Sequence, residues 1–209
     1  MGVTKFHGVE TVEAACKAGI SLFGESRVQE ATEKFSKFWE SRRNDASVEL
    51  HLIGPLQRNK AKKAAAFFDC IQSIDREALV EELAKHTADN RKGEALPVLL
   101  ELRTGEDSKS GFTSLDALFR AVELILACPS LCIRGLMTLA PNTSEEAAVR
   151  AAFRKLARTG QELENKFPNT AGEHGFTCLS MGMSGDFETA IEEGSTMLRI
   201  GSAIFGERI

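Results

Sequence analysis

The sequence predicts an α/β fold: a parallel (β/α)8 TIM barrel built from residues 1–209 as a single domain. Three observations predict it. Short apolar runs alternate with longer amphipathic stretches along the whole chain. Glycine, proline or polar clusters punctuate the junctions. About eight strands and about seven helices follow one another in turn, the rhythm of right-handed strand–helix–strand crossovers. An open doubly wound sheet is the alternative that this rhythm allows. No repeat, linker or low-complexity tract divides the chain.

The elements follow in order. Residues 3–5 form the end of a first strand. Residues 9–18 read as a helix with Val9, Val12, Ala15 and Cys16 on one face. Residues 20–24 are an apolar run ending in Gly24, and residues 28–39 are helical. Residues 50–53 form a strand closed by the breakers Gly54 and Pro55. A basic, alanine-rich helix spans 57–67, then a strand 70–74 and a helix 76–91. Residues 97–102 form a strand, and 114–127 a helix with Ser114 as N-cap. Residues 131–139 form a strand, and 144–166 a long helix with Ser144 as N-cap and Glu146 in the first turn. Residues 176–181 form a strand, 187–193 a short helix ended by Gly194, and 197–200 the last strand.

Bulk composition excludes several function classes. The chain is 43% apolar and 27% charged, an ordinary globular balance. Its 26 basic and 30 acidic residues are intermixed and give a net charge of -4. That argues against nucleic acid as a partner, because phosphate-backbone binders carry a basic excess or stripe. A small anion needs only local positive potential. No apolar stretch is long enough to span a bilayer, and the N-terminus lacks a signal-peptide core. A cytoplasmic chain with no membrane partner is expected. Cys16, Cys70, Cys128, Cys132 and Cys178 are odd in number and irregularly spaced, which suits reduced thiols. Neither they nor the four histidines show metal-site spacing, so no metal is expected. Tyrosine is absent.

In a β/α barrel, chemistry sits where strands end, and phosphate is often bound after the seventh and eighth strands. The seventh strand runs into Ser180-Met181-Gly182-Met183-Ser184-Gly185-Asp186 just before a helix. The eighth runs into Arg199-Ile200-Gly201-Ser202-Ala203. Glycine lets backbone approach a ligand, serine donates hydrogen bonds, and a helix start favours an anion. Either loop alone reads as an ordinary turn; the two together read as a phosphate cup. Lys5 ends the first strand, beside the eighth in a closed barrel. A partly desolvated lysine near other cations has a lowered pKa, and a neutral amine is what a Schiff base requires. The competing reading is a solvated lysine near the start of the chain. Arg199 lies in an apolar strand and needs a partner, either a structural ion pair or the ring nitrogen of a cofactor. Other polar groups near strand ends are Ser26, His51, Asp75, Arg76, Glu101, Arg103, Thr138 and the loop from Asp107 to Gly111. Each reads first as structural, His51 as a hydrogen-bonded core or rim histidine.

Together these segments resemble the pyridoxal phosphate homeostasis proteins, single-domain relatives of the alanine racemase barrel. The residues that carry the resemblance are Val3-Thr4-Lys5, Phe23-Gly24-Glu25-Ser26-Arg27-Val28-Gln29-Glu30 and His51-Leu52-Ile53-Gly54-Pro55-Leu56-Gln57-Arg58-Asn59-Lys60. Ser73-Ile74-Asp75-Arg76, Ser108-Lys109-Ser110-Gly111 and Arg134-Gly135-Leu136-Met137 follow in the family's order, then the two loops after the last strands. The resemblance implies a fold-type III barrel that binds pyridoxal phosphate as an internal aldimine on Lys5. It implies Ser184, Gly201 and Ser202 as phosphate binders, Arg199 at the ring nitrogen, and Ser180 lining the same pocket. Members begin with a helix and a full first strand before the lysine. By comparison roughly 30 residues, the N-terminal helix and the start of the first strand, are missing. Ser26 stands where members often carry asparagine, and Gly185 where many carry aspartate.

The resemblance implies a carrier or regulator in pyridoxal phosphate (vitamin B6) homeostasis, without substantial turnover. Apoenzymes that use the cofactor are the implied recipients, and a lone barrel implies a monomer. An amino-acid racemase of the alanine racemase type is the second reading. It needs two bases on opposite faces of a carbanion, and this chain has no tyrosine and no second domain. A sugar-phosphate isomerase or aldolase is the third, allowed by the phosphate cup alone.

Overall fold

Apolar runs of this length that are buried on both faces pair as parallel strands, each pair joined by a helical crossover. A computed structural model, which describes residues 1–41, 48–91, 93–105, 110–168 and 175–206, shows this arrangement. The strands are β1 (Gly2–Val3), β2 (Leu22–Glu25), β3 (Glu49–Leu52), β4 (Cys70–Ile74), β5 (Leu96–Glu101), β6 (Leu131–Met137) and β7 (Cys178–Ser180). They pair in sequence order, every pair parallel, with registers such as Gly2 with Phe23 and His51 with Cys70. The helices are α1 (Val9–Lys17), α2 (Val28–Ser41), α3 (Ala61–Phe67), α4 (Glu77–Asn90), α5 (Leu115–Leu126), α6 (Glu146–Lys166), α7 (Phe187–Glu192) and α8 (Ser202–Phe205). A single 3-10 turn, Arg58–Lys60, begins what the sequence reads as one basic helix.

The expected eighth strand is reduced to bridges. Residues 197–200 lie between β7 and β1 and bond to both. Met181 N–H donates to the Met197 carbonyl (3.1 Å) and Arg199 N–H to that of Gly182 (2.9 Å). On the other side Val3 N–H donates to the Ile200 carbonyl (2.8 Å) and Ile200 N–H to that of Met1 (3.1 Å). Parallel bridges pair Ser180 with Met197 and Gly2 with Ile200. The segment meets one neighbour at its start and the other at its end, so neither side accumulates a ladder. It still closes the barrel and sets the loop after β7 beside Lys5.

Helix α5 shows how the wall is made. Leu118, Ala121, Val122 and Ile125 recur at helical spacing and are buried, each branched side chain contributing about 1.5–3 kcal/mol. The Ser114 hydroxyl accepts from Ala117 N–H (3.3 Å), the expected cap. The Ser144 cap is corrected. Helix α6 starts one residue later, with Glu145 as N-cap and no capping side-chain bond. Thr143 Oγ1 accepts from Glu145 N–H (3.1 Å), a threonine turn that precedes the helix. The main core lies between the sheet and its helices; a smaller cluster of Cys70, Leu99 and Met137 fills part of the barrel interior. Among the described residues no helix is long and apolar enough to cross a membrane.

Candidate functional site

Lys5 enters the site through an unusual turn. Strand β1 stops at Val3, and Thr4 N–H still reaches the Gly24 carbonyl (3.3 Å). The chain then folds back, with His7 N–H donating to the Thr4 carbonyl (3.0 Å). Phe6 takes φ 69°, the left-handed region, at a cost of about 1–2 kcal/mol for a residue with a Cβ. Glu30 Oε1 accepts from Phe6 N–H (2.6 Å), and the Arg27 guanidinium stands 5.3 Å from the Phe6 ring. The fold-back puts Lys5 and His7 together on the wall of a cavity of about 510 Å³ at the C-terminal mouth of the barrel.

The two serine-glycine loops meet on the opposite wall. Gly182 has φ 95°, and a Cβ there would sit 2.6 Å from the Ala190 methyl, so the tight exit from β7 requires glycine. Ser184 Oγ then accepts from Gly201 N–H (3.3 Å) and Ala203 N–H (3.2 Å). Those donors open α8, Gly201 as its N-cap and Ala203 as its second residue; the sequence pattern does not announce this helix because it is four residues long. Ser184, Gly201 and Ser202 line the cavity with Lys5. Ser26, Gly54 and Pro55, singled out as strand-end residues, line it as well.

Arg199 forms the floor. It lines the cavity yet is only 3% exposed. Its Nη1 donates to Ser180 Oγ (2.8 Å) and its Nη2 to the Thr138 carbonyl (2.7 Å). Burial pulls its pKa down to about 10, against the opposing pull of Glu101. Ser180 is fully buried and supports Arg199 from beneath; the cavity wall does not include it. Its hydroxyl donates to Gln72 Oε1 (2.7 Å), and Gln72 Nε2 donates to His51 Nδ1 (2.8 Å). His51 is thus the hydrogen-bonded interior histidine expected. Among the described residues no cluster of potential metal ligands forms. Asp107, Ser108 and Lys109 lie outside the described residues.

Glu101 ends β5 and is buried beside this floor. Desolvation pushes its pKa from 4.5 up to about 7, although the Ser110 hydroxyl (3.2 Å) and Arg199 favour the charged form. Below the unfolded value both states hold the proton and nothing is lost. Between 4.5 and about 7 the unfolded chain gives up the proton while the native state keeps it, so about 3 kcal/mol of stability is lost by the time pH passes the folded value. Glu101→Gln is expected to match the parent near pH 4 and to exceed it by roughly 2–3 kcal/mol near pH 8, as read by urea unfolding. Equal stabilities at both pH values would contradict this.

The chain matches the alanine racemase N-terminal domain family over residues 1–209. It belongs to that family. The pyridoxal phosphate homeostasis protein of Vibrio cholerae is 43% identical over 209 residues, covering all of this chain and 84% of the relative. That of Escherichia coli K12 is 37% identical over 213 residues, covering all of this chain and 85% of the relative. The structure of PipY from Synechococcus elongatus with pyridoxal phosphate bound superposes with a TM-score of 0.86 at 32% identity, covering 99% of this chain and 91% of that one. An alanine racemase from Clostridium difficile superposes with a TM-score of 0.78 at 14% identity and covers 51% of that enzyme, a likeness of fold alone. Family membership accounts for the barrel and for the order of the strand-end segments. It leaves His7 unexplained: only the fold-back at Phe6 brings that residue to the cavity, and nothing in the local sequence announces the fold-back.

Proposed function

We propose that this chain holds pyridoxal phosphate at the C-terminal mouth of its barrel, with Lys5 as the amine that takes the cofactor's aldehyde. The observation that carries the reading is one cavity bringing Lys5 together with Ser184, Gly201, Ser202 and Arg199. The donor set fits the group. The Gly201 and Ala203 N–H groups converge on Ser184 Oγ, so a hydroxyl and two backbone donors lie together where the two loops meet. A Cβ on Gly201 would reach within 3.4 Å of the Val3 carbonyl, so the loop runs flush with the strand that leads to Lys5. When bound, the cofactor supplies an aldehyde that condenses with primary amines. The chain's own residues bind the phosphate, present the amine and hold a cation in the floor. With the ring bound over it, the Arg199 cation would favour an unprotonated ring nitrogen and so weaken carbanion stabilisation.

That floor favours holding the cofactor over turning over an amino acid. The reading is therefore a carrier or regulator of intracellular pyridoxal phosphate. It acts as a single-domain monomer in the cytoplasm and delivers the cofactor to apoenzymes that use it. Relatives named as pyridoxal phosphate homeostasis proteins support this role. The test is a titration of the purified chain with pyridoxal phosphate, followed by borohydride reduction and peptide mass mapping. A visible absorption band, and a reduced adduct on Lys5, are expected. A chain that binds inorganic phosphate but forms no adduct would overturn the reading in favour of sugar-phosphate chemistry.

A further inference from the structure

Lys34, on α2, is buried at 8% exposure and donates to Glu25 Oε1 (2.8 Å), at the end of β2, where Glu25 is fully buried. The same Nζ donates to the Thr4 carbonyl (2.7 Å) and stands 3.5 Å from Glu30 Oε1. Thr4 Oγ1 donates to Glu25 Oε1 (2.7 Å), and Phe6 N–H to Glu30 Oε1 (2.6 Å). Among the described residues, the side-chain hydrogen bonds of this trio run only to one another and to Thr4 and Phe6. Those two residues flank Lys5.

A buried ion pair is a poor device for stability, since desolvating two charges offsets most of what their attraction returns. This one is also imperfect: Glu25 Oε2 is buried with no hydrogen-bond partner. Well-packed apolar side chains would fill the same space at less cost. What they could not do is grip a carbonyl, a hydroxyl and an N–H on either side of one lysine. Phe6 sits in the left-handed region without being glycine, and such strain persists only where the surroundings over-determine it.

We propose that Glu25, Glu30 and Lys34 are positioning residues for Lys5: they clamp the 4–6 turn so that the Lys5 amine is presented to the cavity. The inference rests on the reading of Lys5 as the cofactor's covalent partner. The step it serves forms a carbon–nitrogen double bond between the Lys5 amine and the aldehyde and releases water. The clamp touches neither the phosphate loops nor Arg199, so it acts on the amine alone.

The test compares two probes on the full chain. Pyridoxal phosphate reports capture by Lys5. Deoxypyridoxine phosphate has the ring and phosphate but no aldehyde, and reports the pocket without the amine. In Lys34→Met, capture of pyridoxal phosphate is expected to slow by about 10- to 100-fold, the usual penalty for a reacting group displaced by about 1 Å. The affinity for deoxypyridoxine phosphate should stay within about twofold. Amide hydrogen exchange at Phe6 and His7 should quicken in the cofactor-free protein. Lys34→Arg, which keeps the cation, should restore much of the rate. If Lys34→Met does not fold, Thr4→Val removes only the hydroxyl grip and is judged by the same two probes. An unchanged capture rate, or loss of both probes together, overturns the proposal. A parent chain that binds deoxypyridoxine phosphate but never captures pyridoxal phosphate removes the Lys5 reading itself, and the positioning role with it.

Discussion

Lys5→Ala is expected to abolish reducible attachment of pyridoxal phosphate completely and to weaken its retention by roughly 100-fold, about 3 kcal/mol. The loops proposed to bind phosphate are built from other parts of the chain. Ser184 follows β7, Gly201 caps α8 and Ser202 opens it. Affinity for inorganic phosphate should therefore survive the substitution. Stability should largely survive too, because the turn is held on either side of Lys5, by Lys34 on the Thr4 carbonyl and Glu30 on the Phe6 N–H. Three readouts separate the outcomes: the visible band, adduct mass after borohydride, and the urea midpoint. An adduct of undiminished yield in Lys5→Ala would place the reactive amine elsewhere and remove the central assignment.

Much of this site was legible from strand ends, because a parallel barrel delivers every strand end to one mouth. Residues 70–74 agree to the residue with β4, where a buried apolar run has turn signals at both ends. The serine-glycine loops stood out because a phosphate reading calls for small residues and N–H donors at two strand ends, and the structure brings both loops to one cavity. The rest depended on geometry that local sequence does not encode. Ser114 and Ser144 look alike in sequence, yet only Ser114 caps, because α6 starts one residue later and leaves Glu145 at its N-cap. Ser180 and Arg199 were expected to share a pocket wall. The register instead pairs Ser180 with Met197, two residues before Arg199, and so places Ser180 beneath the guanidinium it supports. The Glu25–Glu30–Lys34 clamp joins residues from β2 and α2 to a turn near residue 5, and no periodicity marks it.

Gly135→Ala is expected to be the most destabilising small substitution in the barrel wall, by about 3–5 kcal/mol. Gly135 pairs with Leu99 on β5 and with Cys178 on β7. The β5–β6 register slips between Val98 and Leu99, leaving Arg134 as the extra residue of a bulge. Gly135 absorbs that bulge at φ 156°. A Cβ there would lie 1.9 Å from the Cys178 carbonyl oxygen and 2.7 Å from its carbon. Both are backbone atoms, so no rotamer change relieves the contact and β6 must part from β7. Strand β7 is three residues long and pairs along its whole length with residues 135–137. Opening its first pair leaves little to hold the segment that leads to Ser184. The substitution should thus lower the urea midpoint and also weaken phosphate binding in the fraction that stays folded. Gly175→Ala is the matched control: nothing lies within 4 Å of its added methyl, and a change within about 0.5 kcal/mol is expected. A Gly135→Ala chain within about 1 kcal/mol of the parent would show that the β6–β7 seam can open without cost, and that the phosphate loop does not depend on it.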